Sequence, residues 1–364
     1  MDFTSLGVPE PLAAALAARG ITEPTEIQRE VIPAACTGEN LIGEAPTGTG
    51  KTLAYLLPAL MRIDPAVRAA QVLVLAPTHE LAMQIAGAAR DLIQAAGLSV
   101  GVQALIGGAN VQRQIDALKK KPALIVGSAP RIVELHRLRK LKLQEVRLCV
   151  LDEFDRLLDK QHSAEVRAVL HLLPRERQML LLSATAAAAA VHAAEELCAL
   201  RIIRAAVQET TCENYYHIVP FRDKIKAVQK LTRRLPIRRG LVFVGRSFDA
   251  EKAAEKLQYE GIRVAALLGG ERRDQRRAAL NAIRTGRVQL LLSTDLAARG
   301  LDIEDVDYVV QVDLPEDVRT YRHRAGRTAR AGKEGTVISL VDAKEVERLK
   351  ALAVRMKLDL KKIN

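Results

Sequence analysis

Glycines and small residues crowd the stretch EAPTGTGKTLAYLLPAL, where Lys51 and Thr52 follow Gly50 at the head of a segment of strong helical character. Such a loop lets consecutive backbone N–H groups wrap phosphate oxygens at a helix N-terminus, with the lysine reaching the β- and γ-phosphates and the threonine a magnesium ion. The pattern G-x-x-x-x-G-K-S/T is met except at its first position, which holds Ala45. A glycine-rich turn before a helix would share this composition, but it requires neither lysine nor threonine at this offset. Downstream, VLDEFDRLLD closes a run of strand formers with two adjacent acids, Asp152 and Glu153. One carboxylate at a strand end can hold magnesium through water, and its neighbour can orient and deprotonate an attacking water. Alone, an acidic pair would equally cap the following helix. In one predicted sheet with the lysine loop, it points to hydrolysis of a nucleoside triphosphate.

Positioning these groups takes a sheet. Short apolar runs, AQVLVLAP, PALIVGS, LCVLDE and MLLLSAT, alternate with longer segments of helical period, which predicts parallel strands with crossover helices. GLVFVGR, RVAALLG, VQLLLSTD, VDYVVQVDLP and GTVISLV form a second series. The chain thus reads as two consecutive α/β domains, residues 1–206 and 207–364, with a polar linker near 205–213. In open α/β sheets chemistry collects beyond the carboxyl ends of strands, where the unusual residues of both series fall. The run TAAAAAVHAAEEL predicts an ordinary helix capped by Thr185. Continuing the strand through VLDEF would turn Glu153 and Phe154 to opposite faces, with the phenyl ring packed between sheet and helices.

With 364 residues the chain is long enough for two domains, and half of it is apolar. Aromatic residues make up only 3% and tryptophan is absent, which disfavours a broad base-stacking surface. The 55 basic residues outnumber the 43 acidic ones, a net charge of +12 that suits a polyanion or simply a solvated surface. Cys36, Cys149, Cys198 and Cys212 are scattered without zinc-ligand spacing and read as reduced thiols of a cytoplasmic protein. Neither a leader nor an apolar run of membrane-spanning length is recognisable, so no membrane partner is expected.

EPTEIQ, APTGTGKT, APTHELA, the pair Gly107 and Gly108, SAPR, LDEFD, SAT, VFVGR, STDLAARGLD and HRAGRTAR occur in that order. Together they resemble the successive motifs of the DEAD-box family of ATP-dependent RNA helicases, from Phe3 to about Gly335. The resemblance implies two tandem RecA-like domains, each a mostly parallel sheet flanked by helices, with ATP and magnesium as cofactors and RNA as partner. ATP would be held by Ile21, Gln28, Pro46, Thr47, Gly48, Thr49, Gly50, Lys51, Thr52 and Asp302. Gln28 would read the adenine edge and Ile21 would pack on the ring in place of the family's aromatic residue; Phe3 would brace that loop or anchor the N-terminal segment. Magnesium would fall to Thr52 and Asp152, and catalysis to Lys51, Glu153, Arg327 and Arg330. Asp155, Ser183, Thr185, His323 and Arg324 would couple the domains.

RNA would be met at Pro77, Thr78, Gly107, Gly108, Ser128, Arg131, Arg246, Gly270 and Thr294, largely through phosphate and sugar and so with little sequence preference. Phe154 stands where the family has alanine, His79 replaces the arginine of PTRELA, and SAPR replaces TPGR. The last two departures imply fewer fixed contacts to RNA, or a shift of contacts to LHRLRKLK and LKKK nearby. The chain is expected to act as a monomer, with a protein partner for targeting left open. An ATP-gated RNA clamp and a DNA-directed helicase are the alternatives to an RNA-unwinding enzyme.

Overall fold

The computed structural model describes residues 2–46, 48–205, 212–245, 249–267, 273–295, 306–329 and 335–363. The chain divides into two compact units, Met1–Val207 and Gln208–Asn364. In the first, α1 (Glu10–Ala17) and α2 (Glu26–Cys36) lead into β1 (Leu41–Glu44) and α3 (Lys51–Met61). Next come β2 (Val72–Leu75), α4 (His79–Ala95), β3 (Val102–Leu105), α5 (Val111–Leu118), β4 (Leu124–Gly127) and α6 (Ala129–Arg137). The unit ends with β5 (Leu148–Asp152), α7 (Phe154–Leu157), α8 (Ser163–His171), β6 (Gln178–Ser183), α9 (Ala188–Glu195) and β7 (Arg201–Arg204). Its strands form one parallel sheet in the order β3-β4-β2-β5-β6-β1-β7.

The second unit begins with β8 (Cys212–Ile218), α10 (Lys224–Arg234), β9 (Gly240–Phe243), α11 (Ala250–Tyr259), β10 (Val264–Leu267) and α12 (Arg273–Arg284). It continues through β11 (Leu290–Ser293), β12 (Tyr308–Gln311), α13 (Val318–Ala325), β13 (Gly335–Val341), α14 (Val346–Met356) and β14 (Leu360–Lys362). This sheet is also parallel, in the order β10-β11-β9-β12-β13-β8-β14.

A strand covered on both faces reads as an unbroken apolar run, and β2, β4, β5 and β6 are buried throughout. Their side chains alternate between two cores. Val72, Val74, Val150 and Leu180 feed one layer, and Leu73, Leu75, Leu151 and Leu181 the other.

Three local expectations are corrected. The linker expected near 205–213 contains the boundary between the units but gives up its last two residues, Cys212 and Glu213, to β8, whose CENYYHI is paired along its length with β13 from Cys212–Gly335 to Ile218–Val341. Its polar reading misled because Asn214 is buried yet satisfied, its Oδ1 accepting from Tyr321 Oη at 2.9 Å. Thr185 does not cap α9. The helix starts at Ala188 behind Ala187, and the Thr185 hydroxyl instead donates to Asp155 Oδ2 at 3.2 Å. Finally, β5 stops at Asp152: Glu153 turns into the left-handed region at φ 52°, and Phe154 opens α7.

Candidate active site

Sheet order sorts the candidate residues into two groups in the first unit. The nucleotide candidates follow β1, β5 and β6, adjacent in the order β5-β6-β1, and the candidates for RNA follow β2, β3 and β4, adjacent as β3-β4-β2.

Beyond β1 the loop reaches α3 through Gly48 and Gly50, at φ 83° and 84°, where only glycine is unstrained. Ala45 is absent from the left-handed positions, so a methyl group in place of the usual glycine costs no backbone strain. Its N–H donates to Ser183 O at 3.1 Å, fixing the loop to the end of β6. Gln28 and Thr25 hold the other side: Gln28 Nε2 donates to Gly50 O at 3.0 Å and Thr25 Oγ1 to Thr49 O at 2.7 Å. Gln28 Oε1 accepts the Thr25 N–H at 2.9 Å. A primary amide has two protons and two lone pairs, so one of each remains for an adenine edge. The Thr49 hydroxyl donates to Pro46 O at 2.7 Å, and Lys51 Nζ donates to the carbonyls of Ala45 and Pro46 at 2.5 and 2.7 Å. Lys51 is thereby folded over the loop its charge would share with phosphates. Ile21 is partly buried and packs on the apolar cluster that contains Phe3, which is itself buried.

At the end of β5, Asp152 is buried, with Oδ2 accepting from Tyr55 Oη at 2.9 Å and Oδ1 from the Glu153 N–H at 3.0 Å. Burial, reinforced by the neighbouring Glu153 charge, pushes its carboxyl up to about 6 against the pull of Tyr55 and Lys51. Glu153 reaches back to Arg156, Oε2 to Nη1 at 3.1 Å. Tyr55 and Arg156 escaped the sequence reading, although each carries a helical signal: Tyr55 lies one turn after Lys51, and Arg156 three residues after Glu153. The Asp155 carboxylate, the buried Ser183 and Thr185 cluster at the same strand ends, joined by the Thr185–Asp155 bond.

These residues fit magnesium held jointly with a nucleotide. Asp152 and the Thr52 hydroxyl are hard oxygen donors, and adjacent carboxylates leave the site short of positive charge. Among the described residues no group of three or more His, Cys, Asp or Glu is set to hold a metal alone.

On the other half of the edge, a cavity of about 380 Å³ brings Pro77, Gly107, Ser128 and Arg131 together, along with His79, Gln161 and His162. Thr78 spends its hydroxyl oxygen as the cap of α4, accepting the Leu81 N–H at 3.2 Å, and Gly108 turns the chain at φ 63°. Arg131 is buried; its Nε lies 3.0 Å from Glu134 Oε2, and its Nη1 has no hydrogen-bond partner. A guanidinium so placed is suited to an anionic oxygen entering the cavity.

In the second unit Arg324 is engaged internally. Nε and Nη2 grip both oxygens of Asp295 at 2.7 Å, Nη1 donates to Asp313 O at 2.6 Å, and the guanidinium lies 4.9 Å from the centre of the Phe243 ring. All of these contacts lie within the second unit. His323 and Arg327 are buried beside Arg324, and Thr294 follows β11 next to Asp295. Thr47, Arg246, Gly270, Asp302 and Arg330 lie outside the described residues.

Comparisons with known proteins agree with this arrangement. Residues 25–193 match the DEAD/DEAH box helicase family model, and residues 223–332 the helicase conserved C-terminal domain. The DEAD-box ATP-dependent RNA helicase CshC of Bacillus cereus is 41% identical over 341 residues, 93% of this chain and 87% of the relative. The probable ATP-dependent RNA helicase YfmL of Bacillus subtilis is 40% identical over 347 residues, 94% and 91% of the two chains. Among solved structures, S. cerevisiae Dbp5 bound to RNA and ADP BeF3 superposes with a TM-score of 0.89 at 28% identity, over 100% of this chain and 95% of that one. With both family models matched in order and relatives of 40–41% identity covering more than nine-tenths of its length, the chain belongs to the DEAD-box helicase family.

Proposed function

We propose that the chain is an RNA-stimulated ATPase that couples ATP binding and hydrolysis to local unwinding or remodelling of RNA duplexes. The observation that carries this reading is the Tyr55–Asp152 hydrogen bond, which ties the helix begun by Lys51 to the acidic strand end. It joins the elements that carry the proposed phosphate-binding lysine and the proposed water-activating glutamate. Beside them, in the same sheet, opens the cavity of Arg131.

Lys51 exchanges the carbonyls of Ala45 and Pro46 for β- and γ-phosphate oxygens, and the amides of the loop wrap the same phosphates. Magnesium, with Asp152 and Thr52 in its shell, would neutralise charge on the phosphates. The Arg156 guanidinium aims the Glu153 carboxylate, so that it can take a proton from the water attacking the γ-phosphorus while ADP leaves. Arg327 and Arg330 would stabilise the developing charge from the second unit, which makes turnover depend on closure around ATP and RNA. Closure would favour a bent single strand over a duplex, so energy enters as differential binding of the closed state.

The test is the ATP hydrolysis rate with and without RNA at a stated salt concentration, beside strand displacement on a short RNA duplex. Stimulation by RNA with displacement is the expected result. Stimulation without displacement would make the protein an ATP-gated clamp, and stronger stimulation by DNA would make it a DNA helicase. A rate indifferent to any nucleic acid would overturn the reading. The chain is proposed to act as a monomer, with any targeting partner a separate protein.

A further inference from the structure

Arg137 ends α6 and the connection to β5 carries Arg139, Lys140 and Lys142, all exposed and none in an ion pair among the described residues. Two acids, Glu134 and Glu145, flank them in the sequence, and Glu134 is paired with Arg131. The segment is held firmly. Leu141 and Leu143 are buried in the core, and the His136 ring nitrogen Nδ1 meets Leu141 O at 3.1 Å. Arg139 N–H donates to His136 O at 2.8 Å and Lys140 N–H to Leu135 O at 3.0 Å, around a left-handed turn at Arg139, φ 57°. The cations are thus displayed on a fixed frame, which lowers the ordering cost of binding a polyanion.

This frame connects to the cavity of Arg131. Helix α6 starts at Ser128, its cap and a lining residue of that cavity, and nine residues later, roughly 14 Å at the helical rise, delivers Arg137. Along the way a second cavity of about 580 Å³ lies between α6 and α8 and shares Pro130, Glu134 and Glu165 with the first. Its outer end is formed by Arg137 and the half-exposed Leu138. Glu134 and Glu165 would repel phosphates from the floor of this groove, so a nucleic-acid backbone would keep to its rim and reach the cations beyond.

From this continuity, and resting on the RNA reading above, we infer that residues 137–142 form a second RNA-contact surface. It takes the phosphates of the duplex or strand flanking the segment held at the cavity. The contact reads charge alone and adds affinity without sequence preference.

The test compares full-length protein carrying Arg139→Ala, Lys140→Ala and Lys142→Ala with a control of equal charge change on exposed cations of the second unit, Lys226→Ala, Lys230→Ala and Lys256→Ala. Two RNAs are used: a single strand too short to extend past the cavity, and the same strand continued by a duplex. The first variant should bind the extended RNA about tenfold or more weakly, with a salt slope shallower by about two to three. Its affinity for the short strand and its ATP turnover at saturating short RNA should match the parent, which also certifies the fold. The control should match the parent on both RNAs. Equal losses in both variants would reduce the effect to net charge, a loss on the short strand would merge the surface with the cavity, and no loss on the extended RNA would remove it; each overturns the inference. Parent protein that binds neither RNA would sink the RNA reading itself, and this surface with it.

Discussion

Asp152 is out of balance with its surroundings, since its carboxyl sits near 6 rather than 3.8 because of burial and the adjacent Glu153. Between those two values the folded chain holds a proton that the unfolded chain has released, so stability rises as pH falls through this window. Above it, the ionised buried carboxylate destabilises the nucleotide-free first unit by about 3 kcal/mol. Asp152→Asn removes the titration but also one hydrogen-bond acceptor, a loss that does not vary with pH. We therefore expect the stability of the variant relative to the parent, measured by urea unfolding without nucleotide or magnesium, to improve by about 2–3 kcal/mol between pH 4 and pH 7.5. A difference that stays flat across this range would show that Asp152 is not strained by ionisation. Glu153 makes a second case at the same scale. Glutamine at 153 keeps a bond to Arg156 but cannot accept a proton, so Glu153→Gln should bind ATP and RNA like the parent while turnover falls by about a hundredfold or more. Loss of ATP binding in that variant would recast Glu153 as a structural anchor.

At the scale of elements, the turn from β5 into α7 decides where Phe154 goes. The left-handed Glu153 ends the strand, and the helix that follows sinks the phenyl ring fully into the layer shared by Leu157, Val166 and Leu181. The ring lies in the core even though the strand alternation expected to put it there does not exist. Phe154→Ala should cost ~3–5 kcal/mol of first-unit stability through the cavity it leaves, while ATPase activity stays within about tenfold of the parent. Unchanged stability with much faster turnover would mean that the ring restrains the catalytic pair. The same turn shows what sequence reveals. Strands β2, β4, β5 and β6 were legible because burial on both faces leaves an apolar run, whereas LIGE of β1, VQAL of β3 and RIIR of β7 are interrupted or bounded by glycine or polar residues and do not stand out. Lys51 and Asp152 were legible as motif residues; that Tyr55 joins them required their separate elements to be packed together. The gathering of Pro77, Gly107 and Ser128 around one cavity depends on β2, β3 and β4 being neighbours, which no single segment encodes.

Across the whole molecule, the second sheet repeats the strand order of the first, with β8 in the place of β1 and β9 to β14 in the places of β2 to β7. The repeat extends to a lysine at the head of the first crossover helix: α3 opens with Lys51 and α10 with Lys224. Their surroundings differ. Lys224 is wholly buried, its ammonium donating to Val312 O at 2.9 Å and Glu345 Oε2 at 2.8 Å, and the segment before it, VPFRD, has no glycine to wrap a phosphate. Breaking that buried pair for a nucleotide would leave Glu345 uncompensated, so the second unit keeps the architecture without the nucleotide site. One ATP per chain is therefore expected, bound by the first unit. The units also have separate cores, two apolar layers in each. A fragment of residues 1–207 should fold and bind ATP by itself, yet hydrolyse it at about a hundredth of the full-length RNA-stimulated rate or less, because Arg327 and Arg330 are missing. Full-length Arg327→Ala should show a comparable loss with ATP affinity changed less. The comparison is made by ATP titration and by steady-state phosphate release with saturating RNA. Full turnover in the fragment would mean that the first unit completes its own catalytic site, and that the second serves RNA alone.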